Sequence, residues 1–186
     1  MISTLLNYLT NSSAITLIVL ALLSIYLIVV FWIFLYRNST LNRIIENEKR
    51  VLEGLTSGQN RFTSLSLLNQ CSGGNNIKEI LNACEINAIK DASVGLSWLS
   101  IISSTSPFIG LFGTVVGILE SFAKFTNESK VAFSIIAPAI SEALVATAAG
   151  IFVAIFAYTF HQIISRKVYE LNVYLKAQSE ILIAKG

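Results

Sequence analysis

The sequence predicts an all-α membrane protein with three transmembrane helices and long cytoplasmic helical extensions. Three observations carry that expectation. Hydrophobic residues make up 54% of the chain and charged residues only 13%, a balance typical of membrane proteins rather than soluble domains. Mean hydropathy is correspondingly high, at +0.68. The apolar residues are gathered into three long runs with one charge or none, and at about 1.5 Å per residue each run can cross a hydrocarbon core ~30 Å thick.

Residues 1–13 are polar and uncharged, and are expected in the periplasm. Residues 14–36 then give 23 positions without a charge. They lack the basic leader and small-residue cleavage site of a signal peptide, so they are assigned as the first span. Trp32 and Tyr36 near its end suit the membrane interface, and Arg37 closes it. Residues 37–91 hold most of the charge. Within them Leu41, Ile44, Ile45, Val51, Leu52 and Leu55 recur at helical spacing, interrupted only by Glu48, which predicts an amphipathic helix ending near Gly54 and Gly58. Ser72-Gly73-Gly74-Asn75-Asn76 predicts a turn, with Asn76 capping a helix that carries Glu79 three residues on. No GxxxxGK[ST] follows the paired glycines, so a phosphate loop is not expected. Ile77, Ile80, Leu81, Cys84 and Ala88 form an apolar stripe that runs into the next span with no evident breaker.

The second span covers 92–122, and a short polar hairpin covers 123–131. The third span covers 132–160, and the stripe of Ile163, Ile164, Val168, Leu171, Leu175, Ile181 and Leu182 extends its helix through the tail, 161–186. Lys and Arg fix the orientation. Residues 37–91 hold seven of them and the tail four, against two in the hairpin and none in 1–13. The N-terminus and hairpin are therefore expected outside, with the large loop and tail in the cytoplasm. Cys71 and Cys84 have no CxxC spacing and no neighbouring His, and read as two inert thiols of a reducing compartment. No basic stripe points to nucleic acid, and no cofactor is expected.

Residues 131–160 carry a single charge, Glu142. A carboxylate near the middle of a span costs about 2.5–3.5 kcal/mol on insertion scales, so its default reading is functional: proton relay, ion path or subunit contact. Ala139, Ala143, Ala146 and Gly150 recur on its helix at a spacing that admits a close neighbour, expected to be another subunit. Gly110, Gly113 and Gly117 serve the second span in the same way, and Pro107 and Pro138 are expected to kink their helices. Thr114 and Thr147 are the other polar residues that stand out. Thr147 follows Glu142 by five residues, a rotation of about 140°. Either their shared surface is broad and hydrated, or one faces a pore and the other a subunit seam. Each hydroxyl could instead bond its own i−4 carbonyl. Glu120, at the second span's end, is expected at the interface.

Two stretches resemble a known family. Pro107-Phe108-Ile109-Gly110-Leu111-Phe112-Gly113-Thr114-Val115-Val116-Gly117-Ile118 is similar to the second-helix signature of the MotA/TolQ/ExbB proton-channel family. Ile140-Ser141-Glu142-Ala143-Leu144-Val145-Ala146-Thr147-Ala148-Ala149-Gly150 is similar to its third-helix signature. Three spans match the TolQ and ExbB branch rather than the four-span MotA branch, and the 37–91 loop is shorter than in familiar members. The resemblance implies a homopentamer in the bacterial inner membrane, with the second and third helices lining a pore. In that pore it implies a dimer of a single-span TolR- or ExbD-like protein, with a TolA- or TonB-like protein driven across the periplasm. It also implies that Thr114, Glu142 and Thr147 form the proton pathway. The compact N-terminus favours the TolQ type, serving outer-membrane integrity and cell division, over an ExbB type energising TonB-dependent uptake. An intramembrane enzyme is not expected, because His161 is the only histidine and GxSxG is absent. A passive scaffold would not need the three polar residues together.

Overall fold

The computed structural model describes residues 14–57, 66–68, 77–125 and 133–185. The expected segment 1–13, Gly58, the turn at 72–76 with its Asn76 cap, and residues 126–131 of the hairpin lie outside these. Among the described residues all regular structure is helical: α1 (Ala14–Thr56), α2 (Ile77–Ala92), α3 (Leu96–Phe125) and α4 (Phe133–Lys185). Three of the four, α1, α3 and α4, are long and apolar enough to cross a membrane.

The helices do not end where the apolar runs end. α1 continues past Arg37 for another 19 residues, to Thr56. Nothing in Asn38-Ser39-Thr40 stops it, and Thr40 Oγ1 donates back to the Tyr36 carbonyl at 2.9 Å. α4 likewise runs unbroken for 53 residues, with Pro138 inside it. The opposite holds at the second span. The stripe at 77–88 does not continue into it, because the chain breaks at 93–95 and Gly95 takes φ +92°, a left-handed conformation that favours glycine. Arg37 Nη2 donates to the Asp91 and Ala92 carbonyls, the latter at 2.7 Å. A cation thus meets the carbonyls left without helical partners at the end of α2.

The chain divides into two compact units. Unit 1 comprises Met1–Trp32 and Trp98–Phe160. Its interior is built from Val19, Leu23 and Val30 of α1, Leu99 and Ile102 of α3, and Ala143, Ala146, Val153 and Ala157 of α4. Phe31 stacks edge-on against Phe160, ring centres 5.1 Å apart, and Phe156 packs beside both. Trp32, Phe108, Phe112 and Ile155 point outward, as expected where lipid rather than water is the solvent. Unit 2 comprises Ile33–Ser97 and His161–Gly186. Leu41, Val51 and Leu55 of α1, Leu81 of α2, and Ile164, Leu171 and Leu175 of α4 are buried in it with Leu68. Glu48, which interrupted the apolar pattern, is not a gap in the buried face. It is itself 1% exposed.

Cys84 is disulfide-bonded, which corrects the expectation of an inert thiol; Cys71 lies outside the described residues. Spacing and compartment carry no information on how closely two Cβ atoms approach in space, and that approach is what a disulfide requires.

Candidate functional site

The site lies in unit 1, where α3 crosses α4. The closest approach is between glycines. A Cβ on Gly150 would stand 2.5 Å from the Ser106 carbonyl oxygen and 3.0 Å from Gly110 Cα. One on Gly110 would stand 2.6 Å from the Ala146 carbonyl oxygen. No side chain fits at either position, so backbone lies against backbone. Ala143 and Ala146, both buried, continue the contact: a Cβ on Gly113 would come within 3.2 Å of Ala146 Cβ, and one on Gly117 within 3.4 Å of Ala143 Cβ. The small-residue ladder of α4 therefore faces the chain's own α3, where the spacing had suggested a neighbouring subunit. The side chains of Ala139 and Pro138 lie outside those described.

α1 completes the packing in a way the sequence reading missed. Val19 Cγ1 would meet a Cβ on Gly113 at 3.0 Å, and Thr16 Oγ1 one on Gly117 at 3.4 Å. Thr16 is buried. A hydroxyl two residues into an apolar run was the available signal. α3 passes through Pro107 without interruption. Proline supplies no N–H to the ladder, and the turn before it is rich in hydroxyls that bond back to the helix. Buried Ser106 donates to the Ile102 carbonyl at 2.6 Å, and Thr105 to that of Ile101 at 2.8 Å.

The close crossing brings Thr114 and Thr147 together. Their hydroxyl oxygens are 2.5 Å apart. Thr114 Oγ1 also lies 2.9 Å from the Ala143 carbonyl oxygen and 3.3 Å from that of Gly110, and Thr147 Oγ1 lies 3.3 Å from the Gly110 carbonyl oxygen. Each hydroxyl has one proton to give. Three arrangements are consistent: Thr147 donates to Thr114, which donates to Ala143; the same with Gly110 as the last acceptor; or Thr114 donates to Thr147, which donates to Gly110. The first ends on the shorter bond. The i−4 contact of Thr114 to Gly110 is present, but the interhelical bond to Ala143 is closer. Thr114 is 7% exposed and Thr147 is half-buried.

Glu142 does not join this pair. It is half-buried, yet its Oε1 is shielded from solvent and has no hydrogen-bond partner among the described residues. An unpartnered buried acceptor costs roughly 1–3 kcal/mol and more when charged, so this oxygen is a local expense that packing does not explain. Thr147 turns to its own α3, which neither of the placements drawn from the 140° rotation named. No metal-binding group of His, Cys, Asp and Glu occurs among the described residues.

Apolar length in three helices makes this a multi-pass membrane protein. Comparison with known proteins narrows the class: residues 33–177 match the MotA/TolQ/ExbB proton channel family, and the chain belongs to it. It is 40% identical over 188 aligned positions to the putative biopolymer transport protein ExbB-like 1 of Helicobacter pylori, with all of both chains covered. It is 32% identical over 138 positions to the Tol-Pal system protein TolQ of Haemophilus influenzae, covering 69% of this chain and 60% of that one. The biopolymer transport protein ExbB of Pseudomonas putida is 40% identical over 79 positions, 42% of this chain and 24% of the relative.

Proposed function

We propose that this chain is the proton-channel subunit of an inner-membrane motor. In this reading it forms a homopentamer around a dimer of a single-span TolR- or ExbD-like partner and drives a TolA- or TonB-like protein. The observation that carries the reading is Glu142 Oε1, a shielded carboxylate oxygen within an apolar span that no group among the described residues satisfies. A proton, a water or a partner side chain would complete it. The Thr114–Thr147 pair supports the same reading, because each hydroxyl can both donate and accept and so could hold water in the path. The driving force is about 2.3 kcal/mol per charge per 100 mV.

The branch of the family is a finer matter. The compact N-terminus suggested the TolQ type. Relatives that match this chain from end to end carry the ExbB-like name, so compactness does not separate the branches. Full-length likeness favours an ExbB-type subunit energising uptake, with the TolQ-type role as the second reading.

Glu142→Gln tests the proposal, since glutamine keeps shape and hydrogen bonding but does not titrate. Expected is loss of motor function in a deletion strain, while the variant still co-purifies with its single-span partner. Thr147→Val is expected to impair function severely, and Thr114→Val less. Full complementation by Glu142→Gln would leave Glu142 a structural role only.

A further inference from the structure

We propose that Glu48 is the catch of a latch that closes the strap Ser66-Leu67-Leu68 onto the segments of α1 and α4 in unit 2. Glu48 and Gln178 are each 1% exposed, and Ser66 and Leu68 are fully buried. Leu67 N–H donates to Glu48 Oε1 at 2.9 Å. Gln178 Nε2 spends both amide hydrogens on Glu48, one on its backbone carbonyl at 2.9 Å and one on Oε2 at 3.0 Å. Leu68 N–H donates to Ser66 Oγ at 3.2 Å. The Ser66 hydroxyl lies 3.4 Å from both Glu48 Oε2 and Gln178 Oε1, and its single proton favours the charged acceptor. The polar groups at three successive strap positions thus end on Glu48 directly or through Ser66.

The position is acceptor-only: every group aimed at the carboxylate is a donor. A leucine there would match buried Leu41, Val51 and Leu55 on the same helix, and replacing buried charge by apolar packing is often neutral or stabilising. Apolar contact, however, grips without direction. The carboxylate closes only when the strap's N–H and O–H groups are in register, and Gln178 fixes its rotamer from α4 beforehand. The strap is therefore built to seat or release as one piece, with helices α1 and α4 intact on either side of it.

Hydrogen–deuterium exchange on the full chain in detergent micelles tests this. Glu48→Gln turns an NH2 towards one of the donors. The expected result is a rise of about tenfold or more in exchange at Leu67 and Leu68, with the amides of 41–55 and 168–180 unchanged. Unchanged strap exchange would show that Glu48 is not the catch. A rise of strap and helices together would make Glu48 a support of the whole unit, and overturn the latch. Ser66→Ala removes the acceptor of Leu68 N–H, and the hydroxyl beside Glu48 and Gln178, but changes no residue of either helix, so it decides the matter if Glu48→Gln does not fold. Exchange should rise at Leu68 and less at Leu67, whose bond to Glu48 remains; an unaltered Leu68 would also overturn the latch.

Discussion

Glu48 and Glu142 are the same side chain on two long helices, and their surroundings differ in kind. Glu48 receives a backbone N–H and a side-chain amide, with the Ser66 hydroxyl nearby, whereas Glu142 Oε1 is shielded and receives nothing from the described residues. Burial does not distinguish them by function, since the more buried one is the better satisfied. The useful quantity is the donor count around each oxygen. A satisfied carboxylate fixes structure; an unsatisfied one leaves a place for something outside the chain. The packing of the two units differs in parallel. Unit 1 gains its closest contact by having no side chain at Gly110 and Gly150, whereas unit 2 is filled by leucines around a polar knot.

The largest effect is expected where backbone touches backbone. Gly150→Ala places a methyl 2.5 Å from the Ser106 carbonyl oxygen, and neither partner is a flexible side chain. It should cost about 3 kcal/mol or more, near the upper end of overpacking, and leave little folded protein in a detergent melting assay. Tolerance of that alanine would mean that the crossing is looser than described. A pair of alanine substitutions then sets the two carboxylates against each other. Glu48→Ala removes the side-chain acceptor of Leu67 N–H and of one Gln178 amide hydrogen and should lower stability by roughly 2–4 kcal/mol. Glu142→Ala removes an unpaired acceptor and should leave the melting temperature unchanged or higher while abolishing activity. Equal destabilisation by both would break the comparison. The smallest effect belongs to Arg50→Ala. Its bond to Glu46 joins two side chains that are 70% and 65% exposed, so the melting temperature should move by no more than about 0.5 kcal/mol implies.

The three spans were legible in the sequence because composition and charge spacing report directly on the solvent each segment meets. The motifs carrying Thr114, Glu142 and Thr147 were legible as family likeness. Pairing was not. The GxxxG at Gly113 and Gly117 announces a close neighbour but not which helix it is, and the structure gives those glycines to α1 as well as α4, with the tightest crossing at Gly110 and Gly150. The ladder of Ala143, Ala146 and Gly150 reads identically whether it meets its own chain or another. Gly95 was visible in the sequence, but it sits in an uncharged run whose hydropathy passes smoothly through it. Only the left-handed backbone and the carbonyls held by Arg37 mark it as a break. Glu48 looked like an interruption because periodicity scores polarity, and polarity does not reveal donors arriving from Leu67 and Gln178, which lie far along the chain.

The glycine crossing also limits how this sequence can drift. Any mutation of Gly110 or Gly150 adds at least one carbon, and the atoms it would strike are backbone, which no second substitution can trim. A leucine core can exchange volume among its members and keep its sum. Two glycines in contact have nothing to exchange. Mutational scanning should therefore find these positions closed to every replacement, even beside side chains that vary freely.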